Sequence, residues 1–191
     1  MTEETGSFDN WTESEWKEQF RALRANNLAA IFELGKYVQE FRREFRAHPE
    51  RWGDGAQWTT VCYRITQLSN STCSMYETVW RVLGEMKIKN GETWWNRDKL
   101  PSSLRTLYHI ARAYEINPHT VHIAMSECIH CGTPYGKYPV HPDMSRQDAE
   151  RLVEEAKEAE EIAEDWRQEH LLMAKEAEEE RRMAELEGKG I

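Results

Sequence analysis

The chain has 191 residues, of which 39% are hydrophobic and 31% charged, and its formal net charge is −9. That length allows one domain with an appendage or two small domains, and no apolar run approaches the roughly 20 residues that a membrane-spanning helix requires. The segment MTEETGSFDNW has neither the basic region nor the apolar stretch of a secretory signal. With four cysteines and no such signal, we expect a soluble cytoplasmic protein without membrane partners.

The charge is unevenly distributed along the chain. Residues 21–143 contain sixteen Lys and Arg against twelve Asp and Glu, whereas residues 150–187 contain fifteen acidic and six basic residues. A partner of the middle segment would therefore meet a mildly basic surface despite the negative total. This bias is compatible with nucleic-acid binding by the middle segment, but it is too weak to require it.

Residues 1–10 predict a flexible polar arm, and a helix should begin directly after it. Thr12 is a suitable N-cap because Glu15, three residues later, can complete a capping box. Apolar residues then recur at helical spacing, with a break at residues 26–27 that leaves open whether one helix or two form. The segment 47–55, AHPERWGDG, should end this region because it contains a proline and two glycines.

Further short helices are predicted by the spacing of apolar residues, near residues 56–67, 70–86 and 101–114 and from Pro118 to Cys128. A loop that contains Trp94 and Trp95 lies before the third of these. Two adjacent tryptophans flanked by basic residues either plug an edge of the core or stack on single-stranded nucleic acid.

A segment rich in glycine and proline, residues 129–144, forms the clearest boundary in the chain because it cannot continue a helix. We therefore predict a helical domain over residues 11–128. A long acidic helix should follow over residues 145–187, with a tail at 188–191.

The acidic helix should begin at Ser145 as its N-cap, with Asp148 adding favourable negative charge in the first turn. Small and apolar residues step along it by three and four, at Ala149, Leu152, Ala156, Ala159, Ala163, Trp166, His170, Met173 and Ala177. This heptad seam predicts coiled-coil-like self-association. The alternative is a helix that packs back on the domain or is solvated and stabilised by Glu–Lys and Glu–Arg pairs four residues apart.

The stretch 57–84 predicts a helix-turn-helix, since two short amphipathic helices joined by a turn of three to four residues have this geometry. The inward faces are expected at Trp58, Val61, Cys62 and Ile65 in the first helix and at Cys73, Tyr76, Trp80 and Leu83 in the second. Ser69 or Asn70 can cap the second helix. The outward face near its N-terminus, where the helix dipole favours a phosphate, should then carry Ser71, Ser74, Met75 and Thr78.

The run ITQLSNSTCSMYETV resembles the turn and recognition helix of phage and plasmid helix-turn-helix DNA-binding proteins, including ParB-like and KorB-like ones. The run LPSSLRTLYHIARA, residues 100–113, resembles a helical segment that follows this motif in related phage-encoded proteins and packs under the DNA-binding unit. The resemblance covers roughly residues 30–115. It implies that DNA is faced by Ser71, Thr72, Ser74, Met75 and Thr78.

The chain departs from that family pattern in its turn and in its charge. The turn has no glycine where many such motifs have one, and the second helix has no Lys or Arg before Arg81. Affinity for DNA usually requires basic side chains that neutralise phosphates. We expect Arg81 to contribute, together with Arg64, Lys87 and Lys89 from neighbouring segments.

The cysteines and histidines give weak signals for chemistry. Cys128 and Cys131 form a C-x-x-C pair with histidines nearby, which could supply four zinc ligands. No second pair follows at metal-ligand spacing, so we predict no metal and no other cofactor. Cys62 and Cys73 are expected in the core. We find no paired catalytic carboxylates, activated nucleophile or phosphate-binding glycine loop, which predicts a protein that is not an enzyme.

Together these patterns predict an all-α protein: a compact helical domain containing a helix-turn-helix, followed by a long acidic coiled-coil-like helix. The expected function is DNA binding by a homo-oligomer, and the resemblance implies a regulator from a phage or other mobile element. The alternative is a non-enzymatic protein-interaction module, an inhibitor or adaptor that binds a host protein through the acidic helix or the Trp-rich surface.

Overall fold

The computed structural model describes residues 11–23, 28–84, 99–127 and 131–188, and these residues form an all-α fold, as predicted. The helices are α1 (Glu13–Ala22), α2 (Leu28–Ala47), α3 (Trp58–Thr66), α4 (Asn70–Val79), α5 (Leu104–Ile116), α6 (Pro118–Met125) and α7 (Arg146–Gly188). A 3-10 turn, Pro49–Trp52, follows α2, and a π-helical turn, Trp80–Gly84, continues α4. None of the described helices combines the length and the apolar character needed to cross a bilayer.

Local sequence signals set several of the helix ends. The predicted capping box of α1 is confirmed: Thr12 Oγ1 accepts from the Glu15 backbone N–H at 3.3 Å, and the Glu15 carboxylate accepts from the Thr12 backbone N–H at 2.6 Å. The start of α5 was predicted too early, because Ser103 caps it by accepting from the Thr106 backbone N–H at 3.4 Å. Helix α6 was predicted too long, because it ends at Met125.

The first of two buried clusters joins α1, α2, α3 and the 3-10 turn. Aromatic rings dominate it: Trp16 and Phe41 lie with ring centroids 5.1 Å apart, and Phe41 meets Trp52 edge-on at 5.2 Å. The predicted inward residues Val61, Cys62 and Ile65 of α3 and Cys73 of α4 all belong to this cluster. Burial of these large aromatic surfaces stabilises the packing of α3 against α2.

The second buried cluster extends from α2 through α4 and α5 to α6 and the start of α7. Helix α4 lies between α2 and α5 and contacts both. The approach of α2 is especially close at Gly35, where a Cβ atom would come within 2.5 Å of Trp80 Cβ. Glycine is therefore required at this crossing, because any side chain would push the two helices apart.

The described part of the Gly/Pro-rich segment, residues 131–144, packs against α6 instead of separating two units. Val140 donates its backbone N–H to the Ala124 carbonyl at 2.9 Å, and a Cβ atom on Gly136 would come within 2.6 Å of Ala124 Cα. Val140 and Met144 are buried. The following helix is thus joined to the domain that we predicted to end at residue 128.

Helix α7 begins as predicted, with Ser145 Oγ accepting from the Asp148 backbone N–H at 3.1 Å. Its first three turns then pack on α5 and α6, and Ala149, Leu152 and Ala156 have no exposed surface. Our prediction that these three residues form a seam for self-association is therefore wrong. Their apolar stripe is already covered by the chain's own helices, which the heptad spacing alone could not distinguish from a partner chain.

Candidate nucleic-acid interface

The turn between α3 and α4 is built without the glycine that many helix-turn-helix motifs have. Gln67 takes the left-handed conformation at the end of α3, with φ of 59°. Thr66 stabilises the turn from inside: its hydroxyl donates to the Cys62 carbonyl at 2.8 Å and accepts from the Leu68 backbone N–H at 3.0 Å. The missing glycine therefore does not prevent a tight connection.

The first turn of α4 carries a cluster of polar side chains. Ser69 is the N-cap and accepts from the Thr72 backbone N–H at 3.1 Å. The Ser69 hydroxyl also lies 2.9 Å from that of Ser71 and 2.8 Å from that of Thr72. Asn70 accepts a hydrogen bond from Trp58 Nε1 at 2.8 Å, which ties this turn to α3. We call Ser69, Asn70, Ser71 and Thr72 the α4 tip.

The exposure of α4 differs from our prediction. Ser71 is exposed, but Thr72, Ser74, Met75 and Thr78 are half-buried. The prediction of a single outward face assumed that α4 is covered on one side only, whereas α2 and α5 cover it on two sides. Exposure is therefore confined to the first three residues of the α4 tip.

Arg42 of α2 holds this side of α4 in place. One of its nitrogens lies 2.6 Å from the Glu77 carboxylate, and another donates to the Ser74 hydroxyl at 3.4 Å. Its guanidinium carbon lies 4.9 Å from the centre of the Trp58 ring. Ser74, which we expected to face DNA, is thus engaged by a helix of the core.

The two described basic residues among the predicted DNA contacts are each paired with a carboxylate. Arg64 lies 3.2 Å from Glu13 of α1, and Arg81 pairs with Glu115 of α5. About half of each side chain remains accessible, 45% for Arg64 and 50% for Arg81. Exposed pairs of this kind contribute little to stability, so a phosphate could replace the carboxylate at small cost. Lys87 and Lys89 lie outside the described residues.

Of the exposed face of α3, our predictions included only Arg64. Thr59, Tyr63 and Gln67 are exposed there, and Tyr63 has 59% of its surface accessible. The sequence does indicate this exposed face, because these positions lie on the side of α3 opposite its predicted inward residues. We call Thr59, Tyr63, Arg64 and Gln67 the α3 face.

The second half of α7 presents a different kind of surface. Ala159 and Ala163 of the predicted seam are partly buried, whereas Trp166, His170, Met173 and Ala177 are exposed. Ile162, Leu171 and Leu172 are also exposed. Beyond residue 163, every described side chain of the helix is exposed.

The candidate metal ligands are only partly described. Cys131 is exposed, with its sulfur 3.1 Å from the Thr133 hydroxyl, while Cys128 and His130 lie outside the described residues. Within the described ranges, no group of three or more His, Cys, Asp or Glu side chains is placed to hold a metal ion. The tryptophan pair at 94 and 95 also lies outside those ranges.

Comparison of the chain with protein-family models, with curated proteins and with solved structures found no match. The resemblance to phage and plasmid helix-turn-helix proteins therefore stays a prediction, and the functional argument depends on the geometry of this chain.

Proposed function

We propose that the protein binds DNA through the α4 tip and the α3 face and acts as a homo-oligomer. The observation that carries this proposal is the N-capped start of α4, which exposes Ser69, Asn70 and Ser71 and is held against α3 across a short turn. In a helix-turn-helix, the corresponding turn enters the major groove while the first helix crosses the backbone. A role as a regulator from a phage or mobile element rests on the family resemblance.

The chemistry of the α4 tip suits a phosphate or a base edge. The backbone N–H groups at a helix N-terminus and the helix dipole favour a negative group. The short side chains of Ser71 and Thr72 allow close approach of the backbone and can donate hydrogen bonds. Arg64 on the α3 face adds a positive charge beside this turn.

A single charge placed on the α4 tip tests the proposal without disturbing the fold. In Ser71→Glu, the new carboxylate lies in the first turn of α4, where negative charge stabilises a helix. The same carboxylate would oppose DNA phosphates, so we expect duplex affinity to fall by roughly tenfold or more. Gln147→Glu is the matched control, because Gln147 is exposed at the same position of α7, two residues after the N-cap.

Binding should be titrated with duplex DNA at several salt concentrations. The proposal predicts that affinity falls linearly on a logarithmic scale as salt rises, because bound phosphates release counterions. Ser71→Glu should bind more weakly than Gln147→Glu at every concentration. Equal affinities of the two folded variants, or no binding by the unmodified chain, would exclude DNA binding through this surface.

The homo-oligomer is proposed to form through the second half of α7. Trp166 and Met173 lie on the heptad seam with 61% and 57% of their surfaces accessible, and the smaller Ala159, Ala163 and Ala177 share that seam. A second copy of this helix would bury these residues as knobs against its own seam.

Two double variants test self-association by light scattering. Trp166→Glu with Met173→Glu places two charges on the seam and should reduce the assembly to a monomer. Leu171→Glu with Leu172→Glu adds the same charge beside the seam and should leave the mass of the assembly unchanged. The idea fails if the unmodified chain is already monomeric, or if the seam variant keeps the mass of the unmodified assembly.

A second candidate function is a protein-interaction module. Leu171 and Leu172 favour it, because they are 58% and 60% accessible and point away from the seam. A two-stranded coiled coil would leave them exposed, whereas contiguous exposed apolar surface usually marks a protein contact. This function predicts a partner that is captured by the unmodified chain and lost in the Leu171→Glu, Leu172→Glu variant, with no salt-dependent DNA binding.

A further inference from the structure

Two buried cysteines face each other across the helix-turn-helix. Cys62 of α3 and Cys73 of α4 have no exposed surface, and their sulfur atoms lie 3.2 Å apart. A disulfide bond has a sulfur–sulfur length of about 2.05 Å, so the two sulfur atoms lie about 1 Å farther apart than in a disulfide. The two cysteines are eleven residues apart in the sequence and lie on either side of the turn, so a disulfide between them would cross-link the two helices.

The surroundings of the pair favour one reactive sulfur. The Cys62 thiol donates to Cys73, which lowers the pKa of Cys73; burial opposes this shift, and the hydroxyl of Thr66 and the charge of Arg42 reinforce it. The same hydrogen bond and burial raise the pKa of Cys62. The thiolate is the nucleophilic form of cysteine, so Cys73 is the sulfur that reacts first.

We propose that Cys62 and Cys73 are a site of reversible covalent modification, at which a hydroperoxide oxidises the pair to a disulfide that links α3 to α4. The inference stands apart from DNA binding, because it concerns the interior of the motif and not its surface. The sequence alone predicted that both cysteines are core residues, and the proposal gives the pair a chemical role in addition.

The reaction proceeds in two steps that balance. The Cys73 thiolate attacks one oxygen of hydrogen peroxide, the O–O bond breaks, and a sulfenic acid and hydroxide form. The Cys62 sulfur then attacks the Cys73 sulfur, the S–O bond breaks, and the proton of the Cys62 thiol leaves with the hydroxyl group as water. Together, two thiols and one hydrogen peroxide give one disulfide and two molecules of water, and a dithiol reductant reverses the change.

Burial determines how the oxidant reaches the pair. Hydrogen peroxide is scarcely larger than water, so a local opening between α3 and α4 admits it. Oxidation should therefore be slower than that of the exposed Cys131. Once formed, the disulfide closes a loop that contains the whole turn and restricts the unfolded chain.

The experiment treats the intact, reduced protein with hydrogen peroxide, then blocks the remaining thiols with N-ethylmaleimide in denaturant. Trypsin cleaves after Arg51, Arg64 and Arg81, which places Cys62 and Cys73 on separate peptides, residues 52–64 and 65–81. The inference predicts that mass spectrometry finds these peptides joined, with a loss of two hydrogens, and that dithiothreitol separates them. The oxidised protein should also unfold at a temperature higher by about 5–10 °C.

Two variants serve as matched controls. Cys73→Ala should abolish the joined peptides and the rise in unfolding temperature, whereas Cys131→Ala should retain both. If Cys73→Ala does not fold, the peptide map of the unmodified chain still decides the question. Recovery of Cys62 and Cys73 as N-ethylmaleimide adducts while Cys131 is oxidised would overturn the inference, and so would a stable sulfenic or sulfinic acid at Cys73 without a cross-link.

Discussion

Helix α4 and the second half of α7 are both amphipathic, but they differ in what surrounds them. Helix α4 lies between α2 and α5, and among its residues only Asn70 and Ser71 are exposed. The second half of α7 leaves Trp166 and Met173 more than half accessible, although both belong to a seam of small and apolar residues. One helix is more buried than its sequence pattern suggests, and the other is less buried.

The difference shows what an apolar stripe can and cannot specify. It fixes which side of a helix is buried when a neighbour is present. It does not state how many neighbours there are, nor whether the neighbour belongs to the same chain. Burial of α4 is a property of the fold around it, whereas the described side chains of α7 beyond residue 163 are exposed.

The largest effect is expected from a pair of leucine substitutions within α7. Leu152 is fully buried and Leu172 is 60% accessible. Leu152→Ala should lower the free energy of unfolding by about 2–5 kcal/mol, because it leaves a cavity in the core. Leu172→Ala should change it by less than about 0.5 kcal/mol. Urea unfolding of both variants measures the two effects, and similar losses would contradict the division of α7 into a buried and an exposed half.

The second prediction concerns the crossing of α2 and α4. Gly35→Ala places a methyl group within 2.5 Å of Trp80 Cβ and still closer to the Tyr76 carbonyl oxygen. Overpacking of this kind costs about 1–3 kcal/mol, although alanine is the better helix former. Glu33→Ala, at an exposed position of the same helix, is the control and should be nearly neutral. A stabilised Gly35→Ala protein would mean that α4 is packed more loosely than described.

These contrasts define how much the sequence could predict. The capping signals at Thr12 and Ser145 and the inward set of α3 were correct, because they depend on residues close in the chain. The half-burial of Ser74 was not predictable, since it depends on Arg42, thirty-two residues earlier. The burial of Leu152 was not predictable either, because it depends on the tertiary contact between α5 and α7. A heptad seam does not specify whether the helix that covers it belongs to the same chain or to a second one.

A third effect, about as large as the second, should come from the contact between Arg42 and Glu77, which lie 2.6 Å apart with about one fifth of each side chain accessible. Replacing Arg42 by Met should cost about 1–3 kcal/mol, because Glu77 and the Ser74 hydroxyl lose a charged partner. A double-mutant cycle with Glu77→Gln isolates the coupling between the two side chains. A coupling energy near zero would mean that Arg42 stabilises the motif by its contacts with Trp58 and Ser74 and not through Glu77.

The smallest effect is the dependence of stability on pH, and it should come from the domain and not from the exposed half of α7. Burial lowers the pKa of His109 in the folded protein, and the nearby Glu150 opposes this shift without cancelling it. Between the ordinary pKa of about 6.5 and the lower folded value, the unfolded chain binds more protons than the folded chain. The free energy of unfolding should therefore be fully retained above about pH 6.5 and should fall as the pH decreases through that window.

Urea unfolding from pH 5 to 7 measures this dependence of the free energy of unfolding on pH, which His109→Gln should reduce. His170→Gln, at an exposed position of α7, is the control, and an equal reduction by both substitutions would remove His109 as the cause.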